Sequence, residues 1–325
     1  MMPMLMRMLA TLAMLLSAPA SGFAQETRVP DKPELNVRIT PPEPYVQEQI
    51  VQVVRLVSAN IFEEIVLDLP DVDGAEVITL QQPKTRKFKT YGAEGYIYET
   101  QRAIFPKTSG ELVIPAVRIS GSVALSRDER QGFALKSDPV IFDIKPPPAD
   151  FSAPWWLVAR QVEIEESWST PIEELRVGDR VTRTIEVTVA GATGAHLPDL
   201  NQGRSTGLTV LPGQTRRSTE INANEVVGKI SRAFDLRVDV DQPINISPVR
   251  MVWWNTDREI EWRSAAPARR LEPLPRDVEG LVRTVMADAE EAHRTGRYGV
   301  MTLVALGVLG VIGFVIWLMI ARRRH

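Results

Sequence analysis

Histidines, cysteines and clustered carboxylates build most catalytic and metal sites, and this chain holds few of them in useful places. It has 325 residues, no Cys and three His. Without Cys there is no disulfide, thiolate metal site or cysteine nucleophile. The histidines are His196, His293 and His325, far apart in sequence, and only His196 falls in a region expected to fold. A His-built zinc site or a Ser–His pair therefore finds little support. Asp71-Val72-Asp73-Gly74 with Glu76 has the flavour of a calcium loop. The acidic spacing of a full EF-hand is absent, and a solvated turn between strands accounts for it. Glu163, Glu165 and Glu166 alternate with apolar residues and read as the wet face of a strand. Lys84, Arg86, Lys87 and Lys89 lie beside Thr90-Tyr91 and read as a solvated hairpin tip or a contact for an acidic partner. There is no Gly-rich phosphate loop and no G-x-S-x-G elbow. Asn245-Ile246-Ser247 is a glycosylation sequon, meaningful only in a glycosylating compartment. No catalytic residue, cofactor-binding residue or metal ligand is nominated, and the chain reads as a non-enzyme.

Two tryptophan pairs are the more informative side chains. Trp155-Trp156 and Trp253-Trp254 flank the second strand-rich region. Large aromatics at domain edges pack a seam, form an exposed patch for a partner, or offer a stacking platform to a sugar. All four are candidate partner contacts. An extended nucleic-acid surface is not expected, because 38 Lys+Arg stand against 41 Asp+Glu.

The elements that must position these residues are strands. Val46–Val57, Ile61–Leu69, Tyr96–Phe105, Gly110–Pro115 and Val140–Ile144 are short β-branched or alternating runs with Pro, Gly and Asp between them. Pro146-Pro147-Pro148 cannot continue a central strand and marks a boundary. Val181–Val189, Ser231–Val240 and Ile244–Trp254 form a second set. The reading is all-β, with two tandem immunoglobulin-like β-sandwiches at 34–146 and 155–265. The two sets also look like a repeat. Val46–Val54 aligns with Val177–Ile185, Leu69-Pro70-Asp71-Val72 with Leu197-Pro198-Asp199-Leu200, Arg102-Ala103 with Arg232-Ala233, and Pro115–Ile119 with Ser247–Met251.

Both ends differ from this. Arg7 followed by the apolar run Met8–Leu16 reads as a signal peptide over 1–24, cleaved after Ala24. Residues 273–299 read as a short amphipathic juxtamembrane helix, with Val278, Leu281, Val282, Val285, Ala289 and Ala292 on one face. Val300–Ile320 is 21 residues without a charge, long enough for a transmembrane helix. Arg322, Arg323 and Arg324 follow, which places the tail 321–325 in the cytoplasm. The expected location is a bacterial inner membrane, single-pass, with the bulk in the periplasm.

This layout resembles that of the BatD-like, or oxygen-tolerance, family. The local wording is similar too: Trp156-Leu157-Val158-Ala159-Arg160 through Trp168, then Val177–Ile185 and Gly191. In the first region, Arg102, Phe105-Pro106, Gly110, Ile114-Pro115 and Ser137-Asp138-Pro139-Val140 resemble the family's strand-and-turn pattern. The resemblance implies a non-enzymatic periplasmic component held by its span in the lipid bilayer. It would act beside membrane-anchored von Willebrand A domain proteins and a MoxR-type AAA+ ATPase, in aerotolerance or envelope stress. The expected role is an interaction or scaffold protein. The alternative is an anchored glycan- or peptide-binding module that uses the Trp pairs.

Overall fold

The structure is a computed structural model that describes residues 29–90, 93–222 and 225–274, with Met286. The signal peptide, the transmembrane helix, the tail and nearly all of the juxtamembrane helix expected from the sequence lie outside the described residues. Among the described residues no helix is long and apolar enough to cross a membrane. The described chain is all-β, with two single-turn 3-10 segments at Ile172–Glu174 and Gly194–His196.

Contacts divide the chain into two units. Unit 1 comprises residues up to Pro44, Ile50–Phe105 and Gly110–Ile144. Unit 2 comprises Tyr45–Gln49, Pro106–Ser109 and everything from Lys145. The boundary is therefore not a single cut at the proline triplet, because two short segments upstream of it belong to unit 2.

In unit 1 the strands are β1 (Glu34–Thr40), β2 (Ile50–Ser58), β3 (Phe62–Asp68), β4 (Ala75–Thr90), β5 (Ala93–Pro106), β6 (Gly110–Ile114), β7 (Arg118–Ala124), β8 (Arg130–Lys136) and β9 (Val140–Ile144). They form a four-stranded sheet in the order β1-β2-β5-β4, a three-stranded sheet β3-β7-β8 and the pair β6-β9. β2 is rich in Val and Ile and buried along nearly its whole length, as suits a central strand. The Arg55 guanidinium lies opposite Glu99 on β5 and pairs with it at 2.6 Å in the interior.

Unit 2 holds β10 (Val158–Ala159), β11 (Gln161–Trp168), β12 (Arg180–Ala190), β13 (Leu208–Asn222), β14 (Glu225–Val238), β15 (Ile244–Ile246), β16 (Val249–Asn255), β17 (Ile260–Ala266) and β18 (Arg269–Leu271). The sheets are β11-β12-β14-β13, β10-β16-β17 and β15-β18. One hydrophobic cluster draws on all three, including Val162, Ile185, Val187, Phe234, Ile246, Met251 and Trp253. Period-2 alternation explains which residues reach it. On β12 the odd-numbered residues Val181, Ile185, Val187 and Val189 point inward. Arg183 shares that parity and is fully buried. Glu166 on β11 has the same inward parity as Val162, Ile164 and Trp168, and its carboxylate meets Arg183 at 2.6 Å. The wet-face reading therefore holds for Glu163 and Glu165, which are exposed, and is corrected for Glu166.

The sheet order repeats between the units. β1, β2, β5 and β4 occupy the same positions as β11, β12, β14 and β13, and the pairs β6-β9 and β7-β8 recur as β15-β18 and β16-β17. Arg102 and Arg232 make matching bonds. The Nη1 of Arg102 donates to the Pro70 carbonyl at 2.6 Å, and that of Arg232 to the Leu200 carbonyl at 2.8 Å. The long outer strands also match, with Pro83 and Thr85-Arg86-Lys87 on β4 and Pro212 and Thr215-Arg216-Arg217 on β13. A proline is tolerated there because an outer strand has no neighbour on one side to receive its missing N–H. The basic run Lys84–Lys89 consequently lies within β4 and not in a turn.

Candidate functional site

The tryptophan pairs separate by strand geometry. Trp253 and Trp254 are neighbours on β16, so they face opposite sides. Trp253 enters the hydrophobic cluster, 3% exposed, and its Nε1 donates to Ser264 Oγ at 3.2 Å. Trp254 is also buried, on the other face of β16. Its main-chain N–H donates to the Leu157 carbonyl at 2.8 Å, which brings the 155–157 segment alongside β16. Trp254 is thereby covered by Trp156, at 6.4 Å between ring centroids, and by Tyr45, edge-on at 5.7 Å. Phe151 packs edge-to-face on Trp156 at 4.9 Å. These spacings are those of favourable aromatic pairs. Trp155 points elsewhere. It is 49% exposed, and its Nε1 donates to the His196 carbonyl at 2.8 Å.

The candidate residues thus form one aromatic cluster around Trp156 and Trp254, one core residue and one exposed ring. A stacking platform or partner patch needs open aromatic faces, and Trp253 and Trp254 do not offer them. Tyr45 and Phe151 belong to the cluster and had no sequence signal. Tyr45 lies 111 residues before Trp156 and 209 before Trp254, and no periodicity spans such gaps.

A carboxyl sits beside this cluster. The Trp156 Nε1 donates to the Val46 carbonyl at 2.9 Å, and the Val46 N–H donates to the Lys145 carbonyl at 2.9 Å. These bonds fold the segment Tyr45–Gln49 into a tight turn with Gln47 at φ +64°. The turn is closed by the Tyr45 N–H donating to Glu48 Oε2 at 2.8 Å. Burial pushes the Glu48 carboxyl from its usual 4.5 up to about 7, with Glu259 and Asp257 adding to the rise. The Tyr45 N–H and the Lys145 charge oppose it. Lys145 Nζ lies 5.2 Å from the centre of the Tyr45 ring and 3.8 Å from Glu259. The carboxyl thus lies near the Lys145 charge and against the main chain of Tyr45, a member of the aromatic cluster.

The other sequence candidates are dispersed. Asp71–Gly74 forms a turn with Val72 buried and Gly74 at φ +77°, and Glu76 lies on β4. Among the described residues no group of three or more His, Asp or Glu side chains is placed to hold a metal ion. His196 ends the 3-10 turn Gly194–His196, its Nδ1 accepting from the Thr193 N–H at 3.4 Å. Of the basic run, Lys87 pairs with Glu94 at 2.6 Å. No family model matches the chain, and no curated protein matches it.

Proposed function

We propose that this chain is a non-enzymatic, membrane-anchored periplasmic interaction protein resembling BatD, built on two immunoglobulin-like sandwiches. The observation that carries the reading is the pair of long outer strands. β4 has 16 residues and β13 has 15, and both are largely exposed. Each lies at the edge of its sheet among the described residues. An outer strand keeps a row of free main-chain groups that a partner strand can use. Two such edges in a repeated scaffold suit recognition. The single hydrophobic cluster shared by the sheets of unit 2 supports the sandwich reading. The charge-free run Val300–Ile320 with Arg322–Arg324 behind it supports anchorage in a bacterial inner membrane.

On this reading the partners are von Willebrand A domain membrane proteins and a MoxR-type AAA+ ATPase, and the setting is aerotolerance or envelope stress. Crosslinking in native membranes, purification of the full-length chain in mild detergent and mass spectrometry test it. Recovery of such membrane proteins with the ATPase is the expected outcome. Recovery of glycan alone, or of no membrane protein, overturns the scaffold reading. The glycan result would favour a binding module centred on Trp155, whose ring is the most open of the four.

A further inference from the structure

Unit 2 contains a cavity of about 630 Å³ where the loop 201–207 meets β13 and β14. That volume lies within the range of small-ligand sites. No Asp or Glu lines it, while Arg204 and Arg232 do, and Leu208, Val210, Pro212 and Phe234 form an apolar wall. The site therefore combines positive charge with an apolar surface.

Arg232 is held in place by neutral groups. Its Nε donates to the Gly213 carbonyl at 3.2 Å and its Nη1 to the Leu200 carbonyl at 2.8 Å. The guanidinium carbon lies 5.5 Å from the centre of the Phe234 ring. The register break of β13 between Pro212 and Thr215 includes Gly213, so the bulge supplies one of these acceptors. Among the described residues no carboxylate pairs with Arg232 and its Nη2 has no acceptor, its bonds running from Nε and Nη1 alone. The half-buried Arg232 differs in this from the fully buried Arg183, whose charge is met by Glu166. Arg204 is exposed, and among the described residues its side chain has no hydrogen-bond or ion-pair partner. Its loop is nevertheless tied down. Ser247 Oγ donates to the Arg204 carbonyl, and Ser247 N–H to Ser205 Oγ, both at 3.1 Å.

A fixed, unpaired guanidinium beside an apolar wall is matched by an anion on an apolar body. We propose that this pocket binds a carboxylate carried by an apolar group, either the free C-terminus of a peptide ending in an aliphatic residue or a short-chain organic acid. The carboxylate meets Arg232 and Arg204, and the apolar group lies on Leu208, Val210 and Phe234. The inference does not depend on the partners or the membrane anchor.

Isothermal titration of the full-length chain in mild detergent tests it with three probes. These are an N-acetylated tripeptide ending in a leucine carboxylate, the same peptide amidated at its C-terminus, and hexanoate. The carboxylate peptide is expected to bind at least about tenfold more tightly than the amide, since charged hydrogen bonds are lost. Tighter binding of the peptide than of hexanoate identifies a peptide terminus, and equal binding identifies the organic acid. Arg204→Gln should weaken the carboxylate by about tenfold with an unchanged melting temperature, because that side chain supports nothing in the fold. Arg232→Lys, which keeps the charge and loses the fork, should weaken it similarly. Equal affinity for acid and amide, unaltered binding in Arg204→Gln, or no binding of any probe overturns the proposal.

Discussion

Glu48 gives a prediction whose sign and size both follow from its surroundings. Its carboxyl is drawn into the turn at Tyr45–Gln49, and burial is the dominant influence on it, raising its pKa to about 7. In an unfolded chain the same group titrates near about 4.3. Between these values the folded protein binds a proton that the unfolded chain does not. Stability must therefore fall as pH rises through that window. Below about pH 4.3 both states are protonated and the group contributes nothing. Above about 7 both are ionised and the fold carries the whole penalty, on the order of 3 kcal/mol at 1.36 kcal/mol per unit. Glu48→Gln keeps the shape and the acceptor for the Tyr45 N–H, and it cannot ionise. The variant should therefore be more stable than the parent by about 2–3 kcal/mol at pH 8, with the gain shrinking to less than about 1 kcal/mol at pH 5. Urea unfolding of the full-length chain in mild detergent, followed by tryptophan fluorescence at the two pH values, measures the difference. Equal effects at both pH values would refute the argument, since no proton would then be linked to folding at Glu48. Destabilisation at pH 8 would show that the carboxylate is ionised in the fold and held by the Tyr45 N–H and Lys145.

Five further substitutions probe the packing, each read from the same unfolding curves. Glu166→Ala should cost about 3–5 kcal/mol, because it leaves the fully buried Arg183 charge without its partner; Arg269→Ala removes only the half-exposed partner of Glu166 and should cost under about 1 kcal/mol. Trp254→Ala should cost about 3–5 kcal/mol and loosen the cover formed by Tyr45 and Trp156, whereas Trp155→Ala should stay within about 1 kcal/mol. Gly121→Ala on β7 should cost about 3 kcal/mol or more, since a Cβ there would lie 1.8 Å from the Glu64 carbonyl oxygen and would force β3 away.

What the sequence revealed of this fold tracks how local each signal is. Alternation over Val181–Val189 marks a strand and sorts its faces, because the side-chain period of a strand is a property of the strand alone. The same parity sends Arg183 inward, and counting back along β11 sends Glu166 to the same side as Trp168. The ion pair was thus readable in outline, and taking the acidic residues as a group concealed it. β4 and β13 were harder, because their prolines and charges argue against a strand unless it is known to be an outer one. The aromatic cluster was half legible. Two Trp pairs were evident, but burial of Trp254 depends on Tyr45, brought in by chain connectivity. The Arg232 pocket depends on a bulge and on a loop tied to Ser247, neither of which leaves a pattern at fixed spacing.

The segment Tyr45–Gln49 bears on how the chain can be divided. A protease cut or an engineered start at Pro146–Pro148 would appear to release unit 2 intact. It would instead remove Tyr45 from Trp254, the Val46 carbonyl from the Trp156 indole, and the Gln49 side chain that accepts the Val226 N–H at 2.8 Å. The released piece would carry an uncovered indole and an unmet main-chain donor at the start of β14, both of which favour aggregation. Repetition in the sequence and independence in folding are different properties here. A chimaera that grafts Tyr45–Gln49 onto the second repeat preserves more of unit 2 than a simple truncation does.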